Sequence, residues 1–272
     1  MIDFEQLTED VKDVALKAGA FLVEQRTHFH REAVESKRAH DYVSYVDKQS
    51  EKLIVNQLRE ILPQAGFIAE EGTAQLHAEP YCWLVDPLDG TTNFIHNNAP
   101  YCVSIGLRDK TGMLLGVVYE CTRGELFWAN KNSPAYLNDE VIHVSDIDDM
   151  DSAFIQLGFP YDAERYRPFA VPLVNRLYGR VGGLRLMGSA AAETCYLAAG
   201  RFEARIEAFL GPWDIGAGSI ILKQAGGKTT DFDGGEGWMD GSRVLSTNGK
   251  LHDQLLTVIQ ECRKGASLEN IL

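Results

Sequence analysis

Cys82-Trp83-Leu84-Val85-Asp86-Pro87-Leu88-Asp89-Gly90-Thr91-Thr92 decides how this chain of 272 residues is read. Its apolar start, bounded by turn formers, reads as a buried strand over residues 82–85. The two aspartates that follow are three apart, with Pro87 between them and Gly-Thr-Thr behind. Each of these types favours a turn for its own physical reason, so the segment reads as a tight turn and not as a solvated charged face. Such a turn presents carboxylates and free backbone N–H groups to one point in space. Gly90 permits close backbone approach or positive φ. The N–H groups of Gly90, Thr91 and Thr92 then form a nest for a phosphate oxygen, with the Thr91 hydroxyl placed to hold a water.

Two further acidic groups belong with it. Glu70-Glu71 follow the apolar run Phe67-Ile68-Ala69, and Asp214 opens an expected helix after Pro212-Trp213. Strand ends and helix N-termini are where sites collect in architectures of alternating strands and helices. Buried like charges repel, so their clustering calls for a counter-ion. An oxygen-only set suits a hard cation such as magnesium. Taken singly, each group has a plainer reading: surface charge for Glu70, turn formers for Asp86 and Asp89, a helix cap for Asp214. Those readings do not explain why all three groups share one edge of the expected architecture. Metal, water and phosphate within one turn describe metal-assisted hydrolysis of a phosphate ester.

Around this core the first half reads as two helices and a sheet. Residues 4–29 place Phe4, Leu7, Val11, Val14, Ala18, Phe21 and Leu22 at helical spacing. Residues 31–40 read as a loop or irregular hairpin, and residues 47–62 as a helix stopped by Pro63. Residues 66–69, 103–107, 114–119 and 125–129 read as strands, the last three antiparallel through turns at Lys110-Thr111-Gly112 and Thr122-Arg123-Gly124. The second half alternates: strands at 153–157, 184–187 and 202–209, and helices at 166–177, 189–199, 214–224 and 251–262. The alternation implies helices layered on a mixed sheet. Asp146-Ile147-Asp148-Asp149-Met150-Asp151 is the expected junction, giving halves 1–150 and 151–272 within one compact catalytic unit. Residues 160–166, rich in Tyr and Arg, are a candidate for a mobile loop near the site, and the balance of the reading is against it.

A net charge of −13 argues against direct nucleic-acid binding by phosphate neutralisation, though a bound metal can invert the charge locally for a phosphorylated substrate. The five cysteines show no C-x-x-C spacing, so buried reduced thiols are expected and a zinc site is not. The first ten residues carry four acids and no apolar run, and no stretch is long enough to span a bilayer, so a cytoplasmic location with no membrane role is expected. His96 reads as a wall residue, not a ligand. Arg185 reads as half of a structural ion pair, and Phe127, Trp128 and Trp213 as core.

Trp83 to Phe94 closely resembles the first signature of the inositol monophosphatase family. Trp213-Asp214-Ile215-Gly216-Ala217-Gly218, followed by Gln224-Ala225-Gly226-Gly227, resembles the second, and Gly66 to Glu71 matches the segment upstream. The resemblance covers nearly the whole chain. It implies an α+β fold, the layered α-β-α-β-α sandwich of the inositol monophosphatase and fructose-1,6-bisphosphatase type. It also implies a lithium-sensitive phosphatase with two or three Mg2+ ions per site, homodimeric as relatives commonly are, acting on a small phosphorylated polyol.

Carried onto matching positions, the resemblance gives Glu70, Asp86 and the Leu88 carbonyl to a first magnesium, and Asp86, Asp89 and Asp214 to a second. Glu70 and Thr91 orient the attacking water, with Asp47 behind Thr91. The Gly90 and Thr91 amides hold phosphate. Gly188-Ser189-Ala190 line the sugar-alcohol side, and Glu207 takes the place of a glutamate that binds inositol hydroxyls. Ser44 stands where a threonine is usual, and Ser36 where a lysine is, so Lys37 and Arg38 both remain candidates for that role. The favoured substrate is myo-inositol monophosphate. Two alternatives stay open: 3′-phosphoadenosine 5′-phosphate, fructose 1,6-bisphosphate or histidinol phosphate as substrate, and a scaffold that keeps the fold for protein partners.

Overall fold

A computed structural model describes residues 2–29, 34–38, 41–72, 75–76, 80–240 and 243–265. The first half runs α1 (Phe4–His28), β1 (Val34–Arg38), β2 (Asp41–Ser44), α2 (Tyr45–Ile61), β3 (Gly66–Ala69), β4 (Gln75–Leu76), β5 (Cys82–Asp89), α3 (Thr91–Ile95), β6 (Cys102–Asp109), β7 (Gly112–Glu120), β8 (Glu125–Asn130), β9 (Tyr136–Leu137) and β10 (Glu140–Val141). The second half continues β11 (Phe154–Leu157), α4 (Ala163–Leu177), β12 (Gly183–Arg185), α5 (Ala190–Ala198), β13 (Ala204–Ala208), α6 (Pro212–Gln224), β14 (Lys228–Thr230), β15 (Arg243–Thr247) and α7 (His252–Gly265).

The helices start where sequence chemistry caps them. Asp3 accepts from the Glu5 and Gln6 amides at the head of α1, and Ser44 and Asp47 form a reciprocal capping box on α2. The apolar stripe of α1 is buried at Leu7, Val11, Val14, Ala18 and Leu22, each worth roughly 1.5–3 kcal/mol for the larger side chains. With α2 it covers one face of an eight-stranded sheet ordered β10-β9-β8-β7-β6-β5-β3-β4. The other face packs on α5 and α6. A five-stranded sheet, β12-β11-β13-β15-β14, lies beyond them and is closed by α4 and α7. The layers therefore run α-β-α-β-α, as the resemblance implies.

Two glycines set the depth at which α6 sits. Gly106 and Gly116 face each other across β6 and β7. A Cβ at either would press on the backbone of Ala217 in α6. On the helix, a Cβ at Gly216 would meet the Leu84 side chain, and one at Gly218 would meet Thr194 of α5. The Gly216-Ala217-Gly218 run is thus a packing stripe, and it brings the first turn of α6 against β5.

Several expectations change. β5 extends to Asp89 instead of ending at Val85, because Pro87 is absorbed in a bulge and not in a turn. Residues 34–44 form a hairpin; residues 30–33 and 39–40, and the side chains of Ser36, Lys37 and Arg38, lie outside the described residues. The candidate mobile loop at 160–166 is mostly helix, in line with the reading against it, since Asp162 caps α4 through the Arg165 amide and Tyr166 is buried. Arg185 makes no ion pair among the described residues; its guanidinium lies 4.5 Å over the Phe154 ring. Trp213 is half-buried beside Gly211 and Trp128 stacks on Tyr136 near the surface, so of the three expected core aromatics only Phe127 is fully enclosed. All five cysteines are free and buried. Among the described residues no helix is long and apolar enough to cross a membrane.

His252, at the start of α7, is buried between the hydroxyls of Thr230 and Thr247 at 3.0 and 2.9 Å. Burial, aided by the Lys228 charge, lowers its pKa to about 4. Between pH 6.5 and 4 the unfolded chain therefore binds a proton that the folded chain refuses, and stability falls as pH falls. Urea titrations of His252→Gln across that window should show a slope of unfolding free energy against pH shallower by up to about 1.4 kcal/mol per unit. An unchanged slope would contradict this assignment.

Candidate metal and phosphate site

The bulge in β5 builds the site. Asp86 pairs with Ser104 and Asp89 with Cys102, so three residues on one strand span two on the other. Side chains three apart on a regular strand face opposite sides. The extra residue cancels that alternation and turns both aspartates toward α5 and α6, while Leu88 packs among the residues against α1 and α2. Ser50 of α2 donates to the Pro87 carbonyl at 3.0 Å and the Leu88 amide donates to Asp86 Oδ1 at 3.0 Å, which fixes the bulge from both sides.

Asp89 is then held by the head of α5. Ser189 Oγ donates to its Oδ2 at 2.6 Å, and the Ala190 and Ala191 amides donate at 3.2 and 2.8 Å. A carboxylate at a helix N-terminus satisfies amides that have no partner within the helix and meets the positive end of its dipole. Asp214 comes from the third position of α6, where its Oδ2 accepts from the Gly211 amide at 2.6 Å. The capping reading of Asp214 is thus correct as far as it goes, and the residue also faces the cluster.

Asp86, Asp89 and Asp214 offer ligand oxygens within 4.8 Å of one another. Burial pushes the Asp86 carboxyl well up from its usual range, and the charges of Glu70, Asp89 and Asp214 push it further. Asp214 is raised in the same way by burial and then by Glu70 and Asp89. Glu70, at the end of β3 with its amide on the Val85 carbonyl, stands outside the tight triad but is close enough for its charge to act on both. A buried, all-oxygen set whose members destabilise one another's charged forms fits a hard divalent cation.

Beside the triad, Gly90 is left-handed at φ 86° and starts α3. A Cβ there would come 2.8 Å from the Pro100 carbonyl, so the residue has to be glycine on both counts. Thr91 Oγ1 lies 3.1 Å from Asp47 Oδ1 and 3.0 Å from the Leu88 carbonyl. Asp47 is buried at the third position of α2 and also accepts from the Ser44 amide and hydroxyl, each at 2.8 Å. Burial outweighs these bonds and raises its pKa.

The structure thus brings Asp47, Asp86, Leu88, Asp89, Gly90, Thr91 and Asp214 together, with Glu70 at the edge. Ser189 and Ala190 point their donors inward to Asp89, and Gly188 has φ 80° just ahead of α5. Glu207 lies on β13 with Arg205. His96 ends α3 at the surface and is no member of the acidic group. Sequence reasoning missed Asn93, whose Nδ2 joins the Pro100 and Met187 carbonyls at 2.7 Å each, and the buried pair Glu193–Arg205. Asn93 lies inside the Trp83 to Phe94 signature, but as an Asn beside a turn its own chemistry points to no particular role. Arg205 carries a signal: Glu203, Arg205 and Glu207 alternate along an otherwise apolar strand, which puts three charges on one face.

Layered sheets with a buried acidic cluster at a strand end, beside a helix N-terminus, make a class of site suited to a hard cation and an anionic ligand. The sequence profile of the inositol monophosphatase family matches residues 3–264, and the chain belongs to that family. Nus factor SuhB of Escherichia coli K12 is 34% identical over 250 residues, covering 91% of this chain and 93% of that protein. The putative Nus factor SuhB of Neisseria meningitidis serogroup B is 33% identical over 246 residues, covering 90% and 94%. Among solved structures, the extragenic suppressor protein suhB of Bartonella henselae superposes with a TM-score of 0.87 at 32% identity, covering 93% and 98%. The Thermotoga maritima IMPase superposes at 0.86 with 30% identity, covering 94% and 97%.

The mutual repulsion has a measurable consequence. Asp86→Asn should raise the Tm of the metal-free protein by at least about 2 °C. Manganese at a hundredfold excess over its Kd should stabilise the wild type by about 2.7 kcal/mol, and the variant should lose that gain. Calorimetry with and without manganese checks both. A variant destabilised when metal-free and still stabilised by manganese would contradict the reading.

Proposed function

We infer that the protein hydrolyses a phosphate monoester with magnesium, most favourably a myo-inositol monophosphate. The observation that carries this reading is the Thr91–Asp47 hydrogen bond beside the carboxylate triad. Asp86, Asp89 and Asp214, with Glu70 and the Leu88 carbonyl, are the groups that would hold the metal. Magnesium bound there supplies Lewis-acid polarisation of water and of the ester oxygens.

The remaining work falls to the chain. With the Leu88 carbonyl given to the metal, Asp47 accepts the hydrogen bond that the Thr91 hydroxyl donates, which leaves the Thr91 oxygen as an acceptor for one proton of the attacking water. Glu70, whose charge acts on both Asp86 and Asp214, would serve as a second acceptor, so that water is oriented by two groups before it reacts. The Gly90 and Thr91 amides, at the head of α3, would hold the phosphate and stabilise its oxygens. Glu207, on the second half, takes a hydroxyl of the leaving group, which favours a polyol over a nucleotide.

A second, compatible reading is favoured by the name Nus factor borne by the Escherichia coli and Neisseria relatives. It gives this chain a place in a transcription complex beside its chemistry. Pull-down from native extract with the wild type and Asp89→Asn tests it, and equal capture by both would separate binding from catalysis.

Phosphate release from inositol 1-phosphate across a magnesium titration, with and without lithium, tests the first reading. We expect magnesium-dependent turnover that lithium inhibits. Thr91→Val should lower kcat about 10²–10⁴-fold with KM within about threefold. Asp89→Asn should lose activity by at least as much while keeping its circular dichroism. An active, normally magnesium-dependent Asp89→Asn protein would overturn the scheme.

A further inference from the structure

Arg205 is fully enclosed, and it is a charged residue with two carboxylates to answer to. It lies on β13, two residues before Glu207, so both side chains leave the same face of the strand. Its Nε donates to Glu193 Oε2 at 3.1 Å, and one of its terminal nitrogens donates to Glu207 Oε2. The other terminal nitrogen has no partner among the described residues, nor has the buried carbonyl oxygen of Gln156, the residue that pairs with Arg205 across β11 and β13.

The bonds continue to the metal cluster. Glu193 Oε1 accepts the Met187 and Gly188 amides at 2.9 and 3.0 Å. That turn leads directly into Ser189, whose hydroxyl holds Asp89. On the other side, Gly158 leaves room that Glu207 fills: any Cβ at 158 would overlap its carboxylate. Glu207 is thus pinned between a glycine floor and one arm of a guanidinium. Its bond to Arg205 is made through Oε2, and its side chain is 14% exposed, so part of the carboxylate stays accessible.

We propose that Arg205 is a positioning residue that makes the site selective for hydroxyl-bearing leaving groups, by clamping Glu193 and Glu207 in one planar fork so that the second oxygen of Glu207 faces the substrate. This rests on the phosphatase reading given above and names the part of the chain that sets its substrate class. Two carboxylates share a single cation in an enclosed space. Without it they would repel, and Glu207 would either turn away from Glu193 or take up a proton and lose its acceptor character. A guanidinium can meet both with parallel, fixed donors, whereas an ammonium is a point charge that satisfies one carboxylate at a time. The bonds from Glu193 to the Met187 and Gly188 amides and from Ser189 and the head of α5 to Asp89 are made without Arg205 as a donor and remain when it is replaced, whereas Glu207 has Arg205 as its ion-pair partner, so the effect should depend on the leaving group.

The test compares inositol 1-phosphate with 4-nitrophenyl phosphate, which carries no hydroxyl beside its ester, at saturating magnesium. Arg205→Met should lower kcat/KM on inositol 1-phosphate about 10–100-fold, mainly through KM, as loss of a supporting partner does. The value on 4-nitrophenyl phosphate should change less than about threefold. Arg205→Lys should recover only part of the loss. Glu207→Gln and the double variant Arg205→Met/Glu207→Gln should be equal on both substrates, because Arg205 acts through Glu207. The double variant removes one positive and one negative group together, so it carries the test if Arg205→Met alone fails to fold. Equal losses on both substrates, full recovery with lysine, or additive losses in the double variant would overturn the proposal. A wild type inert toward both substrates would instead overturn the phosphatase reading, and this proposal with it.

Discussion

Crowding of carboxylates in a space with little water is the constraint on which this molecule is built. Asp86, Asp89 and Asp214 bring ligand oxygens within 4.8 Å of one another, and burial alone would favour protonating them or moving them apart. Each is instead held in place by a different device. A strand bulge turns Asp86, the head of α5 receives Asp89, and the capping bond of α6 fixes Asp214. The fold accepts the repulsion because the cost is offset elsewhere, in the large apolar interfaces between layers. Strain concentrated at a site and compensated by a well-packed scaffold is the usual sign that the site has a task.

The scaffold and the site are linked through α6. Its glycine-rich stripe seats on Gly106 and Gly116 of the large sheet, and α5 packs on its other flank. The same helix therefore determines how close Asp214 comes to Asp86. On the far side, α5 receives Asp89 at its N-terminus and offers Glu193 to Arg205 four residues later. The two sheets do not touch the cluster equally. The larger one supplies the strand that carries it, and the smaller one, through β13, supplies the Arg205–Glu207 pair.

Much of this was legible in the sequence. The acidic clusters, the helices at 4–28 and 45–61 and the alternation of the second half all follow from local patterns, because capping, hydrophobic period and turn chemistry act over a few residues. The layered fold came from the two signatures. Three kinds of feature did not show. The continuation of β5 through Pro87 depends on pairing with β6, where Asp86 meets Ser104 and Asp89 meets Cys102, and local turn propensity gave the wrong result. Short strands such as β14 and β15 take their identity from neighbours in the sheet and not from their own sequence. The inward role of Ser189 and the Glu193–Arg205 pair depend on three-dimensional closure, since Asp89 and Ser189 are a hundred residues apart.

The most direct test of the account is anomalous diffraction from crystals soaked in manganese. The account predicts density for at least one ion bounded by the carboxylates of Asp86, Asp89 and Asp214, with oxygen distances close to 2.1 Å as for a small hard cation. Those carboxylates pointing to separate places, with no ion among them at saturating manganese, would contradict it.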